Sequence, residues 1–253
     1  MAFDVGAEAY SAFMGRYSEP LADLFVQWAG VGPGRRALDV GCGPGALTAR
    51  LVERLGAAHV VAVDPSASFV AAARRRCPGV VINQAPAERL PFPDGSVDVA
   101  LAQLVVHFMT DPVAGLTEMA RVTRPGGVVA ACVWDFGGGA GPLSPFWAAV
   151  RETDPRAEDE SERAGTREGH LVELFGQAGM HPVEPGRLTV TGRYASFDEW
   201  WHPYTLGVGP AGDYVATLDP AARDALKDRC RRRLPAAPFE IHAAAWAARA
   251  RLG

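Results

Sequence analysis

The chain has 253 residues, 48% of them hydrophobic, which suits one large α/β unit or two small ones. Its formal net charge of −4 argues against a general nucleic-acid binder, which is usually basic, and leaves room only for a local basic groove. No run approaches the ~18 apolar residues of a membrane span, no basic-then-apolar leader opens the chain, and Cys42, Cys77, Cys132 and Cys230 form no C-x-x-C pair, so a cytoplasmic protein with free thiols and no membrane partner is expected.

Strand and helix patterns alternate from residue 19 to about 134. Ser18 is placed to cap a helix through about Gly30, with Leu21, Leu24, Phe25 and Trp28 on one face. Ala37–Val40 reads as a first strand, and Leu47, Leu51 and Leu55 then repeat at helical spacing until Gly56. His59–Val63 is a second strand, Ser66 caps a helix to Arg76, and Val80–Asn83 and Val97–Ala102 follow as strands three and four. A helix over Pro112–Val122 ends before Pro125-Gly126-Gly127, and Val128–Trp134 is strand five. Alternation of this kind implies a parallel sheet covered on both faces.

The second half is less regular. Residues 135–165 read as loop plus a short helix around Phe146–Val150, and Arg167–Ala178 as a helix with Leu171, Leu174 and Phe175 inward. Arg187–Tyr194 is a sixth strand, Phe197–Tyr204 is aromatic-rich, and Pro220–Leu234 is a polar helix. The alanines of Phe239–Ala248 leave a seventh strand or a terminal helix open, and the strand is favoured by analogy. The Arg229–Arg233 run reads as a solvated helix end or an anion contact.

The most informative stretch is Ala37–Thr48. An apolar run carries Asp39 near its end, and glycines follow at positions 41, 43 and 45 before an amphipathic pattern starts. This is a strand, a tight turn and a helix start at which backbone can approach a ligand, because a Cβ would block both the turn and the approach. Gly41–Ala46 also fits the loose G-x-G-x-x-G/A dinucleotide pattern, so the turn alone does not choose a cofactor. Asp64, 19 residues after Gly45, ends strand two where an acid reaches the two hydroxyls of a ribose, or else simply opens the Asp64-Pro65 turn.

Three features separate the candidate cofactors. Asp39 stands two residues before the first glycine, Pro44 lies inside the turn, and Ala87-Glu88-Arg89-Leu90-Pro91-Phe92-Pro93-Asp94-Gly95-Ser96-Val97-Asp98 leads into strand four. Together with Arg121-Val122-Thr123-Arg124-Pro125-Gly126-Gly127, they resemble the class I S-adenosylmethionine-dependent methyltransferases, in the small-molecule branch of the ubiquinone and menaquinone C-methyltransferases. The resemblance covers about residues 10–134. It implies a Rossmann-like, seven-stranded, mostly parallel sheet flanked by helices, with a small aromatic helical cap inserted at about 195–235. It also implies one methyltransferase domain over residues 1–253, in which 1–30 cover the cofactor, 31–134 bind it and 135–253 form the substrate side.

The same resemblance assigns roles. Gly41, Cys42 and Gly43 would pass under the methionine part of S-adenosylmethionine, with Asp39 ordering the turn and facing the cofactor amino group. Asp64 would hold the ribose, Pro65 and Ser66 would flank the adenine, and Ala87 and Glu88 would edge it. Gln103 and Leu104 would sit by the methionine chain, and Arg16 would either pair with the methionine carboxylate or be a surface arginine. Where the family often has an acid before the Ala-Glu pair, this chain has Pro86, so adenine recognition must rest on backbone or another side chain.

After strand four comes Ala102-Gln103-Leu104-Val105-Val106-His107, which is not the Asn/Asp-Pro-Pro-aromatic tetrad of amino-group methylation. No acid cluster there suits a hard divalent cation, so no metal is expected. His107 is the first candidate for a general base, if the acceptor carries a proton that must leave; otherwise it is a half-buried packing histidine. Asp135, His202, Tyr204 and Tyr10 are weaker candidates. Tyr10, Tyr17, Trp134, Trp201 and Tyr204 are expected on the acceptor side, with Phe197 and Trp200 beside them, as a greasy lid, a cap core, or both. The expected activity is methylation of a small, largely apolar acceptor on oxygen, nitrogen or carbon, yielding S-adenosylhomocysteine, without nucleic acid. The alternative is a protein of the same fold that uses the cofactor without methylating, or only binds it.

Overall fold

In the computed structural model, which describes residues 7–253 and side chains from Phe13 onward, seven strands form one sheet in the order β3-β2-β1-β4-β5-β7-β6. Strands β1 (Ala37–Val40), β2 (Val60–Asp64), β3 (Val81–Gln84), β4 (Val97–Gln103) and β5 (Thr123–Trp134) are mutually parallel. Strands β6 (Val183–Tyr194) and β7 (Phe239–Arg251) are antiparallel, and β7 runs between β5 and β6.

Both faces of the sheet are buried, and the period-two pleat sorts the side chains between them. Ala37, Val99, Leu101, Cys132 and Trp134 face helices α1 (Ala7–Trp28) and α2 (Ala46–Leu55), which contribute Tyr17, Leu21, Phe25, Leu47 and Leu51. Helix α3 (Ala67–Arg76) adds Val70 to the same layer. Leu38, Val40, Ala100 and Ala102 face the other way, against Leu116 and Met119 of α4 (Pro112–Val122) and Leu171, Leu174 and Phe175 of α6 (His170–Gln177).

The open question about the last element is settled by this layering. Alanine is the best helix former, yet β7 makes continuous ladders with β5 and β6, and its alanines alternate between the layers. Small side chains let the outer helices close over that strand. Tertiary pairing overrides propensity here.

Several elements differ from the sequence reading, three of them for clear physical reasons. Helix α1 starts by Ala7, so Ser18 lies inside it instead of capping it, and Pro20 is tolerated within the helix. Strand β5 starts at Thr123, because Pro125-Gly126-Gly127 is held by the chain end: Gly126 N–H donates to Leu252 O at 2.8 Å and Leu252 N–H to Gly127 O at 3.0 Å. An added Cβ on Gly127 would lie 2.7 Å from Asp98 O, which explains the glycine. Helix α8 (Gly209–Thr217) has no counterpart in the sequence reading, since its Gly-Pro-Ala-Gly start reads as a turn.

The connection from β6 to β7 forms the cap. It comprises α7 (Phe197–Trp201), a 3₁₀ turn over His202–Leu206, α8 and α9 (Pro220–Arg233). Helix α5 (Ser144–Arg151) locks onto it through Phe146, which stacks on Tyr204 at 4.5 Å between centroids and 9° between planes. Phe13 of α1 meets Tyr204 edge-on at 5.2 Å. Among the described residues, no helix is long and apolar enough to cross a membrane.

Candidate active site

The β1–α2 turn is stitched to β2 by backbone. Gly41 and Cys42 N–H both donate to Val63 O, at 2.8 and 2.9 Å, and Gly45 N–H donates to Cys42 O at 2.9 Å. Gly41 has φ +71°, and a Cβ there would fall 2.5 Å from Val105 Cγ1. Gly43 has φ +52°, yet nothing lies within 4 Å of its virtual Cβ. The first glycine therefore allows close packing of the chain on itself, whereas the second borders open space in which a ligand can rest on backbone.

Two buried acids frame that turn. Asp39 accepts from Thr48 Oγ1 at 2.6 Å, and burial pushes its carboxyl up to about 7 against that bond, with Asp64 adding a smaller upward push. Asp64 takes Gly43 N–H on one oxygen and Ser66 N–H on the other, both at 2.8 Å. Burial raises its pKa and the two N–H groups lower it. Each Asp64 oxygen retains a second lone pair, so the carboxylate both orders the turn and can still accept from a hydroxyl pair.

At the carboxyl end of β4, Gln103 Nε2 donates to Ser18 O at 3.0 Å, and its buried Oε1 has no partner. Leu104 follows with φ +61°, the one left-handed non-glycine among the described residues. Such a conformation costs about 1–3 kcal/mol and is found where a site over-determines the backbone. The strained residue leads directly into the 3₁₀ turn Val106–Phe108 that presents His107.

His107 lies within 3.9 Å of the Phe108 ring, centroid to centroid, and its buried Nδ1 has no hydrogen-bond partner. Burial, with a smaller contribution from Arg163, holds the imidazole down at about 3, so it is neutral at physiological pH. It lines a largely apolar, partly open pocket of about 410 Å³ including the solvent at its mouth, shared with Leu104, Trp134, Phe136, Leu143 and Glu160. The pocket lies over the ends of β4 and β5, where open α/β sheets bind ligands. Glu160 carries no sequence signal, because Glu158-Asp159-Glu160 reads as a solvated acidic run, but it is 3% exposed.

Other expected site residues are placed differently. Arg16 pairs with Glu199 and donates to Arg193 O, with its guanidinium 4.5 Å from the Tyr194 ring centroid, so it ties α1 to β6 and the cap instead of facing the glycine turn. Glu88 Oε1 accepts from Thr110 and Asp111 N–H, at 2.8 and 3.3 Å, and so secures the approach to α4. Ala87 is buried against that layer, Pro65 is exposed, and Cys42 is buried with Sγ 3.6 Å from Gly43 O. Ser66 Oγ caps α3.

Tyr17 and Tyr204 line a second depression of about 300 Å³ with Arg16, Glu199 and Trp200, and Tyr194 Oη donates to Tyr17 Oη at 2.9 Å. Trp201 is buried among Phe197 and Tyr204 and borders neither space, which makes it cap core. The side chain of Tyr10 lies outside the described residues. Among the described residues, no group of three or more His, Cys, Asp and Glu could hold a metal ion.

Residues 38–131 match the family described as a methyltransferase domain. The chain is 42% identical over 98 residues to a demethylmenaquinone methyltransferase of Beutenbergia cavernae, covering 39% of this chain and 40% of that protein. It is 35% identical over 127 residues to a trans-aconitate 2-methyltransferase of Methylobacterium nodulans, covering 50% of this chain and 48% of that protein. The chain thus spans less than half the length of these relatives. Its fold is similar to that of an S-adenosylmethionine-dependent methyltransferase of Thermotoga maritima, with a TM-score of 0.58 at 18% identity over 97% of this chain and 95% of that one. The glycine turn, the Asp64 bridge and the strained exit from β4 all fall within residues 38–131, the stretch that matches the family described as a methyltransferase domain.

Proposed function

We propose that this protein transfers a methyl group from S-adenosylmethionine to a small, largely apolar organic acceptor, without a metal. The observation that carries the reading is the convergence at one sheet end of an open glycine cradle, an acid with spare lone pairs, and an apolar pocket holding a neutral histidine. Gly41, Cys42 and Gly43 would support the methionine part of the cofactor, Asp64 the ribose hydroxyls, and the orphan Oε1 of Gln103 would accept from a ligand N–H.

When bound, the cofactor supplies an already activated methyl group. The chain's own tasks are then to align the acceptor, exclude water and take up a proton where the nucleophile has one. Phe136, Leu143 and Trp134 give the pocket an apolar wall. His107 lines the pocket uncharged, and because burial holds it down at about 3 it is a weak base, so we assign it to shaping the acceptor's place and not to taking its proton.

The test is calorimetry with S-adenosylhomocysteine on Asp64→Ala, alongside thermal melting. Affinity is expected to fall about tenfold or more, since two ribose hydroxyls lose their partner. Unchanged affinity in a folded variant overturns the cofactor site. Mass spectrometry then separates methyl transfer, which adds one CH₂ to the acceptor, from a non-methylating use of the same cofactor.

A further inference from the structure

The pocket beside His107 contains a carboxylate that the sequence did not single out. Glu160 lies in the connection between α5 and α6, 3% exposed. One oxygen, Oε2, accepts from Trp147 Nε1 at 3.0 Å. Its own backbone N–H also donates to the carboxylate, and among the described residues none forms a salt bridge with it. Burial pushes the carboxyl up to about 7. An acid in this position is expensive to retain unless something in the pocket answers it.

Two further observations define what would answer it. His107 lines the same pocket with its buried Nδ1 unpartnered. Arg163 stands with its guanidinium 5.2 Å from the Phe108 ring centroid and acts electrostatically on both Glu160 and His107. An anionic ligand would add a second negative charge beside Glu160. A cationic one would pair with Glu160 only by bringing a second positive charge towards Arg163, which already acts on that carboxylate. A neutral ligand with an O–H donor adds neither, and it donates to the Glu160 carboxylate in surroundings that are otherwise apolar.

Resting on the methyltransferase reading of this site, we propose that Glu160 is a specificity-determining residue that selects an uncharged, largely apolar acceptor bearing a hydroxyl, against carboxylate and ammonium compounds of the same shape. Glu160 receives the hydroxyl proton, and the aromatic and aliphatic wall, with the uncharged His107 ring, holds the rest. This sets the chain apart from a methyltransferase whose acceptor is a polycarboxylate, because such an acceptor would have to sit against a buried carboxylate.

The experiment is calorimetry on the full chain with four bicyclic probes: 2-naphthol, naphthalene, 2-naphthoate and 2-naphthylmethylammonium. It is done at about pH 8, where a carboxyl raised to this extent is ionised. The wild type is expected to bind 2-naphthol about tenfold or more tightly than each of the other three. Glu160→Gln keeps an acceptor for Trp147 Nε1 and should keep the fold, which melting checks. In that variant the affinity for 2-naphthol should fall about tenfold and that for 2-naphthoate should rise.

Equal binding of naphthalene and 2-naphthol, a charged probe binding as tightly as 2-naphthol, an unchanged preference in Glu160→Gln, or no binding of any probe each overturns the proposal. A parallel titration with S-adenosylhomocysteine reads the cofactor site separately. Its failure in the wild type would remove the methyltransferase reading without altering what the probes report, since they need no turnover.

Discussion

Alanine at Gly41 and alanine at Gly43 stress the same turn in opposite ways, and the difference can be worked out from the geometry. Both residues lie in the left-handed region, at φ +71° and +52°. An L-residue there costs about 1–2 kcal/mol. At Gly41 the new Cβ also falls 2.5 Å from Val105 Cγ1 and closer still to Cγ2, and overpacking of that kind adds about 1–3 kcal/mol. Gly41→Ala should therefore lose about 2–5 kcal/mol, and for a chain of this size the melting temperature should drop by roughly 5–15 °C. At Gly43 there is nothing within 4 Å to strike, so only the backbone cost of about 1–2 kcal/mol applies. The methyl group would instead occupy the open cradle, so S-adenosylhomocysteine affinity should fall about tenfold or more, or about 1.4 kcal/mol. The assay is differential scanning fluorimetry with calorimetry on both variants and on Gly41→Ala/Val105→Ala. The double variant removes the struck side chain and should recover about 1–3 kcal/mol as a coupling energy. A Gly43→Ala protein that melts as low as Gly41→Ala, or that binds the cofactor product as the wild type does, refutes the division of labour between the two glycines.

Two further outcomes are expected. Trp201→Ala should lower stability by about 3–5 kcal/mol in urea unfolding, as truncation of a buried core tryptophan does, and leave S-adenosylhomocysteine affinity unchanged; a shift confined to ligand affinity would restore Trp201 to a lid. The pH dependence of stability should move in opposite directions on removing His107 and on removing Glu160. His107 is held at about 3 in the fold against about 6.5 in the unfolded chain, so between these values the unfolded state binds the extra proton and wild-type stability falls with acidification. His107→Gln should thus gain stability relative to wild type as pH drops from about 6.5 towards 4. Glu160 is raised to about 7, so here the folded state takes the proton first and acidification stabilises the wild type. Glu160→Gln should therefore be relatively most stable above about pH 7 and lose that advantage towards pH 4.5. Each slope approaches about 1.4 kcal/mol per pH unit, read from chemical denaturation across that range, and parallel slopes for the two variants would contradict the burial assigned to these groups.

What could be read from the sequence was local. The turn at Gly41–Gly45, the capping Ser66, and the strands β1 and β4 depend on contacts a few residues apart, and spacing alone locates them to within a residue or so. The alanines of β7 are the counterexample. Their local preference points to helix, and only pairing with β5 and β6 makes them a strand. The same distinction explains the proline-glycine stretch at the start of β5, which reads as a breaker until the chain terminus is laid beside it.

The site divides along the same line, and the division concerns how each residue acquires its environment. Asp39 and Asp64 are buried by the turn they belong to, so their position in sequence already implies what they touch: Thr48 for one, Gly43 and Ser66 for the other. Gln103 meets Ser18 across 85 residues, and Arg16 meets Glu199 across 183. Nothing in the local pattern distinguishes an arginine that will reach a cofactor from one that will pin a helix to a cap. Glu160 is the extreme case. In sequence it is one of three consecutive acids, which solvent normally holds. In the fold, Trp147 and the pocket wall withdraw it from water while Asp159 remains paired with Arg151 outside. A charge becomes informative when the structure strips it of solvent and of a counter-ion, because the chain then retains a cost that a ligand can relieve. By that criterion the proposed acceptor-side residues are found by asking which buried polar groups have few partners: His107 Nδ1 and Gln103 Oε1 have none, and Glu160 has Trp147 as its side-chain donor.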